Sequence, residues 1–181
     1  MHKPEGQRRH TASQEGFSLL EMLLACAVLM VGILSVVQLV PATLRVNLRN
    51  RLDTMATVIA QRELDQMLSQ PLSTASFIDR NSYDGSNYII TMAGDGSPGA
   101  PVVMAGSAAV IDFSVDAGSV PANFIIPAYP GPNGAIFELR WAVIPQTTGG
   151  VVIGRRIIVG CRQANANQPM LPVNLDSSVQ R

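Results

Sequence analysis

The feature that most limits what this chain can fold into is a run of 24 residues, Phe17 to Val40. It is apolar except for Ser18, Glu21, Gly32, Ser35 and Gln38. As a helix it is about 36 Å long, enough to cross a hydrocarbon core of roughly 30 Å. An ordinary secretory signal has an apolar core of only about 7–15 residues, so a single membrane-spanning helix is predicted. The residues ahead of it, MHKPEGQRRHTASQEG, are polar and carry Lys3, Arg8 and Arg9. Arg45, Arg49 and Arg51 follow it closely, so counting positive charge leaves the orientation nearly tied. The free amino terminus tilts the balance toward a cytoplasmic leader.

Glu21 is the anomaly in the run. A charge in a membrane helix costs about 2.5–3.5 kcal/mol at the centre and less near an interface. On one reading, an acid in the first turns is tolerated near the headgroups and the positive end of the helix. On the other, Glu21 has a cationic partner that exists only after processing. Cleavage after Gly16 would free an amine on Phe17, four residues away. Leu23-Leu24-Ala25-Cys26 has the form of a lipobox, but Glu21 interrupts the stretch before Cys26. About a dozen apolar residues follow, so the lipoprotein reading is set aside.

Gly16, then Phe17, Ser18, Leu19, Leu20 and Glu21, then an apolar run: this order resembles the class III signal of type IV pilins and pseudopilins. The resemblance implies that prepilin peptidase, a membrane aspartic protease, cuts after Gly16 and methylates the new amine on Phe17. It implies that Glu21 pairs with an N-terminal amine as helices pack into a fibre. The implied partners are other pilin or pseudopilin subunits and an inner-membrane assembly platform. The implied location is the inner membrane, single-pass, with the C-terminal domain periplasmic, and a surface fibre after assembly. The leader of 16 residues is longer than in many major pilins.

Pro41 follows the span and is expected to kink or locally melt the helix. Gly32 is a second weak point. The helical pattern resumes at Ala42 and stops at Pro71. Leu48, Leu52, Met55 and Ile59 form one apolar stripe, the natural partner for a sheet. Five residues separate Ile59 from Leu64, so the last turns are expected to bury a different side. Arg49 with Asp53 and Arg62 with Asp65 are opposite-sign pairs at helical spacing, while Arg45 with Arg49 is a like-charge pair. Phe17 to Gln70 would span about 80 Å unbroken. Arg45, Arg49 and Arg51 lack the clustered aromatics and excess positive charge of a nucleic-acid surface, so they read as a solvated or interface-facing stretch.

From Pro71 onward lie 10 of the 12 prolines and 12 of the 15 glycines, which marks a domain of short strands and turns. Expected strands are Asn87–Met92, Ala109–Val115, Asn123–Ile126, Ala135–Ile144 and Val151–Cys161. In AIFELRWAVI, Phe137, Leu139, Trp141 and Val143 share one face, with Glu138 and Arg140 on the other. In VVIGRRIIVGC, Val151, Ile153, Ile157 and Val159 share a face that includes Arg155. The short PQTTGG connection predicts an antiparallel hairpin, and Trp141 reads as core. These two strands are similar to the ends of PilV-type minor pilins and GspI-type pseudopilins, through Trp141, Val143, Arg155, Ile157 and Val159.

The predicted fold is therefore α+β: a long N-terminal helix, membrane half plus amphipathic half, packed on a small antiparallel sheet. The divisions are a leader at 1–16, a transmembrane and assembly helix at 17–40, an amphipathic stalk at 41–70 and a β-rich domain at 71–181. The net charge is zero, which gives no pointer to nucleic acid. His2 and His10 both precede the span, so a chain cut after Gly16 has no histidine for nucleophilic or metal chemistry. Cys26 and Cys161 are expected as free thiols, and nothing points to a metal or another cofactor. Asp79, Asn81 and Asp84 in DRNSYDG fail the EF-hand spacing and read as a polar turn. The function expected is a minor pilin or pseudopilin, a structural subunit of a type IV pilus or type II secretion pseudopilus and not an enzyme. The alternative is a membrane-anchored binding or adhesion module that forms no fibre.

Overall fold

The computed structural model describes residues 16–80, 82, 84–92, 98–164 and 171–180. Nearly all of the expected leader, with His2 and His10, and Asn81 of the polar turn lie outside these residues. The chain divides into two compact units, Met1–Val46 and Asn47–Arg181.

One helix, α1 (Leu19–Ser69), belongs partly to each unit. Among the described residues it is the one helix long and apolar enough to cross a membrane. It runs helical through Pro41, where a kink or local melting was expected. Proline's fixed φ is compatible with a helix, so the cost falls mainly on one missing N–H and the crowding of one carbonyl. Two hydroxyls in the exposed half of the helix satisfy themselves on its own carbonyls. Ser35 Oγ donates to Val31 O (2.8 Å) and Thr43 Oγ1 to Leu39 O (3.0 Å). That suits a medium without water, where side-chain polar groups need internal partners.

The second unit holds eight strands among the described residues. They are β1 (Ser76–Asp79), β2 (Tyr88–Thr91), β3 (Val102–Ala105), β4 (Ala108–Ile111), β5 (Ile125–Pro130), β6 (Ile136–Thr148), β7 (Val151–Gln163) and β8 (Val173–Gln180). The last four form an antiparallel sheet in the order β5-β6-β7-β8, and β1–β2 and β3–β4 are separate antiparallel pairs. The expected β6–β7 hairpin is present and turns at Gly149 and Gly150. Both have positive φ (60° and 83°), as the tight hairpin turn that matches strand twist requires. The expected strand Ala109–Val115 ends at Ile111, because Asp112 leaves the ladder to accept from Ser114 N (2.8 Å) and Ser114 Oγ (2.6 Å).

The sheet is covered on both faces. On one, Phe137, Leu139, Trp141 and Val143 of β6 and Ile157, Val159 and Cys161 of β7 pack with Ala56, Ile59, Ala60, Leu64 and Met67 of α1. Trp141 is fully buried as expected, and its indole N–H donates to Thr91 O (2.8 Å). The expected stripe is buried only in part: Ile59 is in the core and Leu52 and Met55 pack against it. Leu48 stays exposed, and Leu52 and Met55 are only half covered. Burial begins at Ala56 and continues through Ile59, Ala60, Glu63, Leu64 and Met67, at steps of three and one. These positions bridge the gap between Ile59 and Leu64, so the apolar face continues where a change of side was expected.

On the opposite face, Ala142 and Ile158 pack with Ala100, Ala109, Ile111, Val120 and Ile125. Glu138 and Arg140 share this face, as expected, and both are buried. Arg140 ion-pairs with Glu138 and donates to Asp112 O and Val115 O (2.9 Å each). Arg162 meets the other Glu138 oxygen at 2.7 Å. Both guanidinium groups lie over the Phe113 ring, at 4.9 and 4.8 Å. Gly160 makes this approach possible. A Cβ there would come within 2.7 Å of Phe113 Cε2 and 2.8 Å of Ile111 Cβ.

Candidate functional site

The residues singled out in the sequence lie at the start of α1. Gly16, Phe17 and Ser18 are non-helical and exposed, and Leu19 opens the helix. Ser18 caps it: its Oγ accepts weakly from Glu21 N (3.4 Å), and its carbonyl accepts from Met22 N (3.1 Å). Ser18 and Glu21 have the spacing of a capping box, which places Glu21 in the first turn beside the positive end of the helix. Phe17 sits one residue outside the cap, with its side chain 81% exposed. The Gly16–Phe17 peptide is thus non-helical and uncovered, beside the start of the helix. Every residue from Gly16 to Arg51 is exposed. From Leu19 to Val40 this stretch presents Leu, Val, Ile and Met all round, so a surface that covers this part must itself be apolar.

A second constellation lies inside the globular unit, and the sequence did not announce it. Glu63 of α1, Asp79 of β1 and Tyr129 of β5 are each fully buried and meet at one phenol oxygen. Tyr129 Oη donates to Glu63 Oε1 (2.9 Å) and lies 3.1 Å from Asp79 Oδ2. Arg62 reaches Glu63 Oε1 at 2.9 Å and also donates to Tyr129 Oη. Gln66 Nε2 donates to Asp79 Oδ1 (3.3 Å). Burial, then the nearby charge of Asp79, pushes the Glu63 carboxyl up to about 7, against an opposing pull from Arg62. Asp79 was expected in a polar turn and instead ends a strand in the core. The turn is made by Asp84, whose carboxylate accepts from Ser86 N (2.9 Å), Ser86 Oγ (2.8 Å) and Ser82 Oγ (3.0 Å) and is held below its ordinary range by these bonds. A usable signal for Glu63 was its place four residues after Ile59 and four before Met67, on the apolar side of the helix.

Cys26 is exposed and Cys161 buried, both as free thiols. Burial, aided by Glu63 and Glu138, raises the Cys161 thiol to about 12, so it is an inert core residue. No group of three or more metal-binding side chains occurs among the described residues.

No curated protein and no solved structure matches the chain. Residues 11–37 match the family model for the prokaryotic N-terminal methylation motif, a segment that includes Gly16, Phe17 and Glu21 and covers the capped start of α1. The chain therefore carries a type IV pilin-like N-terminal methylation motif.

Proposed function

We propose that the protein is a minor pilin or pseudopilin, a non-enzymatic structural subunit of a type IV pilus or type II secretion pseudopilus. The observation that carries this is the coincidence of the methylation motif at 11–37 with a capped helix whose residues stay exposed from Leu19 to Arg51. An apolar surface of that length needs lipid at one stage, and a bundle of like helices can replace the lipid at another. Prepilin peptidase cuts after Gly16 and methylates Phe17. The α1 segment anchors the chain in the inner membrane, with the globular unit in the periplasm. An assembly platform then draws the subunit into a fibre, where Glu21 meets an N-terminal amine within the bundle and so avoids an unpaired charge in an apolar setting.

Mass spectrometry of the N-terminal peptide from membranes of the native host tests the reading. An N-methylated Phe17 terminus is expected. An intact Met1 leader on the mature protein would sink it in favour of a plain membrane-anchored module.

A further inference from the structure

The Glu63–Asp79–Tyr129 cluster has a proton count that its geometry does not balance at full ionisation. The phenol oxygen stands 2.9 Å from Glu63 Oε1 and 3.1 Å from Asp79 Oδ2. Two oxygen–oxygen contacts of this length each need a proton, and a phenol supplies one. Tyr129 Oη also accepts from Arg62, which leaves it one lone pair for a second donor. The missing proton must sit on a carboxyl group.

Glu63 is the better holder of that proton. Its Oε2 is buried without a hydrogen-bond partner, a condition a neutral acid tolerates far better than a carboxylate. We propose that Glu63, Asp79 and Tyr129 form a proton-loaded clamp that fastens the end of α1 to β1 and β5, and that loss of the proton loosens it. Among the described residues, the polar and charged groups that face it come from five elements. Arg62 and Gln66 come from α1, Asp79 from β1, Tyr129 from β5, Tyr88 of β2 stacks on Tyr129 at 5.3 Å, and Cys161 of β7 is a neutral thiol.

The sign follows from the raised Glu63 carboxyl. Between its unfolded value of 4.5 and its folded value of about 7, the folded chain holds more protons than the unfolded one. The clamp's contribution is therefore greatest at low pH and is lost as pH rises toward about 7. Urea unfolding of the full chain in detergent micelles, followed by the fluorescence of Trp141, reads this directly. The folding equilibrium constant is expected to fall by roughly 10- to 100-fold from pH 5 to pH 8. In Glu63→Gln the fall shrinks to about threefold or less, because the amide cannot ionise.

If Glu63→Gln does not fold, infrared spectroscopy of the wild type decides. A protonated-carboxyl carbonyl band is expected at pH 6 that disappears by pH 9. A wild type with pH-independent stability, an unchanged slope in Glu63→Gln, or no protonated-carboxyl band at pH 6 would overturn the clamp.

Discussion

The two halves of α1 share one backbone and opposite surfaces. From Leu19 to Arg51 every side chain is exposed although most are apolar, whereas from Ala56 to Met67 the buried side includes an acid. In the first half hydrophobicity is nearly continuous as far as Val40 and has no preferred side there. In the second it is confined to one face and interrupted at Glu63. Position relative to a partner, and not hydrophobicity alone, decides which residue is buried. A side chain stabilises this unit only where the chain itself supplies the surface that covers it.

The contrast is most easily broken at its strongest point. Ile59→Ala should cost about 2–5 kcal/mol in urea unfolding read by Trp141, since it opens a cavity between α1 and the sheet. Leu34→Ala, an equally drastic truncation in the exposed half, should change that midpoint by less than about 0.5 kcal/mol. Equal effects at the two sites would show that the two halves do not obey different rules.

Next in size is a test confined to the far face of the sheet. Gly160→Val should destabilise by about 1–3 kcal/mol or more, because its side chain would push Phe113 out from beneath Arg140 and Arg162. A near-ultraviolet circular dichroism spectrum that keeps its wild-type form and midpoint would mean that Phe113 yields at no cost.

Glu21→Ala sharpens the comparison from the other side. Folding of the globular unit and membrane insertion should be unchanged by fractionation, while incorporation into sheared fibres should fall at least tenfold, or about 1.4 kcal/mol. Wild-type incorporation would remove the charge-pairing role of Glu21. The smallest effect is expected at Leu48. Leu48→Ala lies on the stripe that the spacing favours, yet the residue is exposed, so a change within about 0.5 kcal/mol is expected. A loss above 1.5 kcal/mol would place Leu48 in the core after all.

Much of the fold was legible because its signals are local. The span, the β6–β7 hairpin and the buried side of Trp141 follow from continuous hydrophobicity, a Gly-Gly turn and period-two alternation. β8 was missed because VNLDSSVQ is an edge strand whose outward residues are polar, and it gains stability from pairing with β7 more than from its own composition. β1 and β3 are four residues each, too short for alternation to stand out. The helix face was misjudged at Leu48 because spacing identifies a side of a helix and leaves open how far along that side the covering surface reaches.

The sequence by itself determined the N-terminal motif, the membrane-length helix and the α+β division, since each depends on neighbours within a few turns of chain. Only the tertiary structure decided that Glu63, Asp79 and Tyr129 share one oxygen, and that Phe113 lies against Arg140 and Arg162 above Gly160. The first three stand 16 to 66 positions apart in the chain, as Asp79 does from Glu63 and Tyr129 from Glu63. Their meeting depends on how helix and strands dock, and a buried polar group leaves no periodic trace of the partner that will satisfy it.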